Sequence, residues 1–289
     1  MDAVCVGKQW DVLLVERKDG FIEGALPYLH GRRLGLRYIL QPQLTQYNGP
    51  WYNLPDGLPD ATRIDFENRV GGMLAEQLGK MKVNIFSQHF SPQTTNWLPF
   101  HWNGYRQTTR YTYRFPSIAD PDALISQASG ARRKNMAALA DTCTIDPGAF
   151  SPHDFALMHQ HYWQRRLGSD LLSLDLITRV CTAALNRGQG LLWALRKEEE
   201  VLCAAFVVYD DRCAYALLSA VSEVAPANAQ TYLDWQMIRH LSSRTQAFDF
   251  EGSMEQGGEF YYRSFGTEQT PYFEITKCRP RLLRYLLKL

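Results

Sequence analysis

The sequence predicts a mixed α/β protein of two like halves, each a mixed, mostly antiparallel sheet flanked by helices. Three observations carry this. One order of elements (strand meander, helix, strand, returning strand) is read twice, at an offset of roughly 180 residues. The 289 residues are enough for two domains that each bury a core. The composition is that of an ordinary globular chain, 45% hydrophobic and 21% charged.

In the first half, Trp10 to Leu29 reads WDVLLVERKDGFIEGALPYL. Two apolar runs flank Lys18-Asp19-Gly20, and Asp-Gly supplies the positive φ of a tight turn, so a hairpin is expected. A third strand is expected over Leu36–Leu40, then a Gly- and Pro-rich stretch from Gln41 to Ala61. Phe66, Val70, Met73, Leu74 and Leu78 recur at helical spacing. Lys82–Ser87 and Tyr105–Phe115 read as strands.

The second half opens with two helices that the first lacks. One starts at Ser151-Pro152, an N-cap followed by proline in the first turn; the other spans about Ser173–Arg187 and stops at Gly188. Leu191–Lys197, Val201–Tyr209 and Ala214–Ser222 then form a meander. A loop with Pro226 leads to a helix over Asn228–Leu241, a short strand Ala247–Phe250, a short helical piece in Glu255–Gly266 and a last strand Pro271–Lys277. Only nine residues precede Trp10, so the first half's opening helices are expected to be missing or reduced, the gene start truncated or the fold trimmed. Between the halves, Asp120 caps and Pro121 opens a long amphipathic helix carrying Arg132-Arg133-Lys134. The expected domains are residues 1–116, a joining helix 117–142, and residues 143–289.

A formal net charge of +1 argues against a dedicated DNA-binding protein and weakens, without excluding, RNA. No window holds the roughly 18 apolar residues of a membrane span, and MDAVCVGKQW lacks the pattern of a signal peptide, so a cytoplasmic setting is expected. The six cysteines are scattered with no CxxC pair, and the histidines form no HExxH, so neither a metal site nor a structural disulfide is expected. His159 and His161 read as fillers of a helix.

The sharpest chemistry lies in Phe248-Asp249-Phe250-Glu251-Gly252-Ser253. Strand alternation would put Asp249 and Glu251 on one face, where a carboxylate of raised pKa could deprotonate an amine; capping of the Gly257-Gly258 loop or an ion pair with Arg263 is the plainer alternative. Arg263 itself could bind a phosphate or carboxylate, or serve in such a pair. In the first half, Gln46, Tyr47 and Trp51 set amides and rings in one loop, which suits either a ligand wall or a packed turn. Arg106 and Arg110 are spaced to share a strand face, lining a cleft between the halves or simply solvated. Arg132-Arg133-Lys134 could hold phosphates or be a solvated helix face.

The order of elements, with FDFEGSMEQGGEFYYRSFG (Phe248–Gly266), LQPQLTQYNGPWY (Leu40–Tyr52) and SGARRKNMAALA (Ser129–Ala140), resembles the tandem GNAT-fold acyltransferases of the Fem-like or BioF-like group. The resemblance implies an N-acyltransferase moving an acyl group from an acyl-CoA-type donor such as acetyl-CoA to a small-molecule or peptide amine, by direct attack. It implies a general acid among Tyr261 and Tyr262, with Tyr262 favoured. In acetyl-CoA-using members a glycine-rich loop at the start of the helix after the meander holds the pyrophosphate. Here that loop, Glu223–Gln230, has no glycine, and Ser222 and Asn228 are the candidate cofactor contacts. Fem-type enzymes also lack those glycines, their donor being an aminoacyl-tRNA and their acceptor a cell-wall precursor; in their Phe-Lys pair before Phe-Gly, Tyr262 stands where the lysine would fall. Two further readings therefore stay open, tRNA-dependent aminoacyl transfer and a non-catalytic ligand-binding module.

Overall fold

A computed structural model of the chain describes residues 1–280 apart from 8, 129, 149, 170 and 253, with 131 and 135 described in backbone only. The described residues form two compact units, Met1–Arg110 with the segment beginning at Pro271, and Tyr111–Thr270.

In the first unit, β1 (Gln9–Glu16) and β2 (Ile22–Arg33) form the expected hairpin, with Gly20 at φ 83° in its turn. Next come β3 (Leu36–Leu40), β4 (Trp51–Tyr52), α1 (Asp60–Lys80), β5 (Ile85–Phe90) and α2 (Leu98–Trp102). Two strands pass from one unit to the other, β6 (Arg106–Phe115) and β12 (Glu268–Cys278). The sheet runs β1-β2-β3-β5-β12, with β4 paired to β2. Val70, Leu74 and Leu78 of α1 pack on Leu26, Ile39 and Phe86, all fully buried or nearly so. The strand expected from Lys82 starts three residues later because Lys82 takes φ 52° and the Asn84 amide donates to the Arg37 carbonyl.

This division differs from a single cut near residue 116. The chain's last described strand serves the first unit, where Glu274 pairs with His89 and Thr276 with Ser87.

The second unit holds α3 (Pro121–Gln127), α4 (Gly130–Ala140), β7 (Thr144–Pro147), α5 (Pro152–Leu167), α6 (Leu174–Asn186), β8 (Gly190–Lys197), β9 (Glu200–Tyr209), β10 (Cys213–Val221), α7 (Ala229–Leu241), β11 (Ala247–Asp249) and α8 (Gln256–Arg263). Its sheet runs β6-β11-β10-β9-β8-β7. The expected long joining helix is two helices. Asp120 caps α3 as anticipated, but Ala128 swings to ψ 153° and ends it, two residues before Gly130, which would disfavour a continuous helix by about 1 kcal/mol. Among the described residues no helix is long and apolar enough to cross a membrane. All six cysteines are free, and Cys203 and Cys213 are buried in β9 and β10.

The two helix histidines differ. His161 is exposed, whereas His159 is buried against Phe155, with its Nε2 accepting from Trp163 Nε1 at 2.9 Å. Burial lowers its pKa from 6.5 to about 4. Because the folded value lies below the unfolded one, the stabilisation is complete above pH 6.5 and is lost as pH falls toward 4. At about 1.4 kcal/mol per pH unit the loss reaches roughly 3 kcal/mol. Melting curves between pH 7 and pH 4 should therefore flatten in His159→Gln; an unchanged acid-induced drop would rule His159 out as its source.

Candidate active site

The site starts from a sheet register. β10 and β11 run parallel for three residues, with Tyr215 beside Asp249, and β11 runs antiparallel to β6, with Asp249 beside Arg114. Cross-strand neighbours share a face, so Arg114, Asp249 and Tyr215 form one polar row. Phe248 and its neighbours Ala214 and Phe115 face the core. β11 then stops, while β10 continues to Val221 through an irregularity between Ala216 and Leu218. From Ala216 on, β10 has no β11 partner, and this open edge leads through residues 222–228 to the N-terminus of α7.

Asp249 is fully buried. Its Oδ1 accepts from Thr112 Oγ1 at 2.5 Å and from the Glu251 amide at 2.8 Å, and Arg114 Nε lies 3.4 Å from Oδ2. Donors and a guanidinium on both oxygens are the surroundings of an ionised carboxylate. Glu251 does not continue the strand. It stands past the end of β11 with φ 56°, a left-handed conformation that costs a non-glycine residue about 1–2 kcal/mol, so strand alternation does not set its direction. Gly252 follows at φ 52°; a Cβ there would meet the Tyr111 carbonyl oxygen at 2.4 Å and Thr112 Cα at 2.5 Å. The turn is thus pressed against β6, and the Asp249 side chain ties it down. Burial of its carboxyl group, and then the charge of Asp249, push the Glu251 pKa well above the usual carboxylate range.

Tyr262 lies beside this pair. Its ring is 5.5 Å from Phe250 and stacks at 6.1 Å on Tyr113. Burial first, then Asp234 and Glu251, raise its pKa beyond the ordinary phenol value. That makes it a reluctant proton donor. Tyr261 donates from Oη to Asp234 Oδ2 at 2.8 Å, and Gln230 Nε2 donates to Oδ1 at 2.8 Å. Burial lifts Asp234 to a pKa of about 6 despite these donors and Arg132. Arg132 turns inward from α4, donating to Thr231 Oγ1 at 2.6 Å and lying 4.8 Å over the ring of Phe265, while Arg133 and Lys134 are exposed. The basic triplet is therefore one structural cation and two solvated ones.

The other anticipated residues are placed as follows. Ser222 ends the open edge of β10, its Oγ buried and without a hydrogen-bond partner. Asn228 takes φ 67° just before α7 and makes no side-chain cap. Arg263 is exposed and bonds Glu259 of its own helix at 2.7 Å, away from the carboxylate pair. In the first unit, Gln46 lies 3.5 Å from Tyr272 Oη, the Tyr47 ring meets Tyr272 edge-on at 5.2 Å, Trp51 is 52% exposed and Arg106 is exposed. Arg110 binds Glu274 at 2.9 Å. Thr112, Arg114, Tyr215 and Asp234 went unnoticed in the sequence. Only Asp234 left a signal there, an acid three and seven residues before Met237 and Leu241 on the apolar face of its helix.

The second unit is thus a mixed sheet whose parallel strands part beside a helix N-terminus, with Asp249 and Glu251 at the point of parting. Residues 126–263 match the acetyltransferase (GNAT) domain family. No curated protein matches the chain in sequence. Among solved structures, FemX is similar at a TM-score of 0.70 and 12% identity, over 98% of this chain and 91% of that one. The C-terminal domain of a putative lysylphosphatidylglycerol synthetase from Agrobacterium fabrum is similar at 0.57 and 13% identity, over 96% and 87%. A tandem GNAT protein from the clavulanic acid biosynthesis pathway is similar at 0.55 and 9% identity, over 93% and 82%. Residues 126–263 thus carry a match to the GNAT domain, and the chain shares its fold with FemX and with a tandem GNAT protein.

Proposed function

We propose that the protein is an N-acyltransferase that moves an acyl group from an acyl-CoA-type donor to the amine of a small molecule or peptide. The observation that carries this is Glu251, a carboxyl group with a raised pKa fixed where β10 and β11 part. The donor lies along the open edge of β10 past Ser222, with the amides at the start of α7, near Asn228, as its polar contacts. An ammonium approaching Glu251 favours its carboxylate, which takes one proton. The free amine attacks the acyl carbonyl, the C–S bond breaks, Glu251 returns its proton to the leaving thiolate, and the second amine proton goes to solvent. Asp249 has no surface with which to touch substrate and acts as a positioning residue. Tyr262, holding its proton, forms a wall and a hydrogen-bond donor rather than the acid.

The same reading covers a cytoplasmic setting and no bound metal. A second reading, aminoacyl transfer from tRNA, is favoured by the absence of glycine from residues 223–230. The test is amine-dependent release of free thiol from acetyl-CoA: turnover that depends on the Glu251 carboxyl group supports the proposal, and turnover indifferent to it removes it.

A further inference from the structure

The first unit contains a cavity of about 450 Å³ where β6 begins and β12 ends. Its described lining includes Asn103, Arg106, Thr276, Lys277 and Arg279, and no carboxylate. Arg17, Arg63, Arg69, Arg110, Arg196 and Arg239 each pair with an aspartate or glutamate. Among the described ion pairs, Arg106, Lys277 and Arg279 have no such partner.

The cations stand on a fixed frame. Lys277 Nζ donates to the Asn103 carbonyl at 2.5 Å and sits 4.3 Å over the Tyr105 ring. The backbone of Arg279 is clamped by Asn84, whose carbonyl accepts its N–H at 2.7 Å and whose side-chain amide donates to its carbonyl at 3.0 Å. Burial, and then the neighbouring charge of Arg279, lower the pKa of Lys277, as expected where positive charge is gathered without compensation. Lys277 and Arg279 repel each other, Arg106 lines the same cavity, and a monovalent carboxylate would leave two of the three uncompensated. A multiply charged anion answers all three, and the forked guanidinium of arginine suits phosphate oxygens in particular. The volume falls in the range of small-ligand sites, about 300–1,000 Å³.

We propose that this cavity binds the phosphate or diphosphate group of a phosphate-bearing ligand. The proposal does not depend on the acyl-transfer reading, whose carboxylates belong to the other unit. It is tested by calorimetric titration of inorganic pyrophosphate onto the full chain and onto the double variant Arg106→Gln/Arg279→Gln, both exposed residues whose loss should leave the melting temperature unchanged. Saturable binding that weakens at least tenfold in the variant, and falls as salt is raised, is expected. Absence of saturable binding to the wild type, or equal affinity in the variant, overturns the proposal. Co-sedimentation with phosphatidylcholine vesicles containing phosphatidylglycerol separates the sources. Vesicle binding that pyrophosphate displaces assigns the phosphate to a lipid headgroup; pyrophosphate binding without vesicle binding assigns it to a soluble ligand.

Discussion

Replacing Glu251 by glutamine is expected to lower amine-dependent thiol release from acetyl-CoA by about 10²- to 10⁴-fold, the usual contribution of a positioned proton-transfer group. Glutamine keeps the size and the hydrogen-bonding reach of the side chain but can neither accept nor return a proton. The stability of the variant should move the other way. The folded-state pKa of Glu251 is raised above its unfolded value, so the wild type is stabilised by this group's proton at low pH and loses that stabilisation as pH rises above the ordinary carboxylate range. The glutamine variant has no such loss, and its melting temperature should match or exceed that of wild type at pH 8. Loss of turnover together with a lower melting temperature would mean that Glu251 holds the turn together and does not carry the proton.

Gly252→Ala should be the most destabilising single methyl in this part of the protein. The added carbon would fall 2.4 Å from one backbone atom of β6 and 2.5 Å from another, at a φ of 52° that L side chains avoid. Left-handed strain of about 1–2 kcal/mol and overpacking of about 1–3 kcal/mol together predict a loss of roughly 3–5 kcal/mol in denaturant unfolding. Gly72→Ala is the control, since a Cβ there meets nothing within 4 Å in the interior of α1, where alanine is the better helix former. If Gly252→Ala unfolds within about 0.5 kcal/mol of wild type, the turn is not pressed against β6 as described.

Much of the fold was legible because its signals are local. Ser151 and Ser173 cap their helices through bonds to the amides of Asp154 and Leu176, and Gly188 closes α6 at φ 67°, as their chemistry demands. Asp19-Gly20 makes its turn for the same reason. What could not be read was non-local. β12 belongs with β5, nearly 190 residues away in sequence, because Phe273 and Ile275 join a core that no short window reveals. The site was half visible. Asp249, Glu251 and Tyr262 were recognisable by type, but their roles came from neighbours on other strands and helices. Arg114 and Thr112 hold the Asp249 carboxylate in place; burial first, and then Asp249, raise the pKa of Glu251, as burial and then Asp234 raise that of Tyr262. Strand alternation misjudged Glu251 because the chain leaves the strand one residue earlier, in a left-handed turn that a glutamate does not advertise.

The central claim, an acyl-CoA-type donor held along the open edge of β10 beside Glu251, is tested most directly by calorimetric titration of acetyl-CoA onto wild type and Glu251→Gln. The account predicts saturable one-to-one binding of nearly equal affinity to both, because Glu251 handles the proton and not the donor. No saturable binding of acetyl-CoA to the wild type would contradict it.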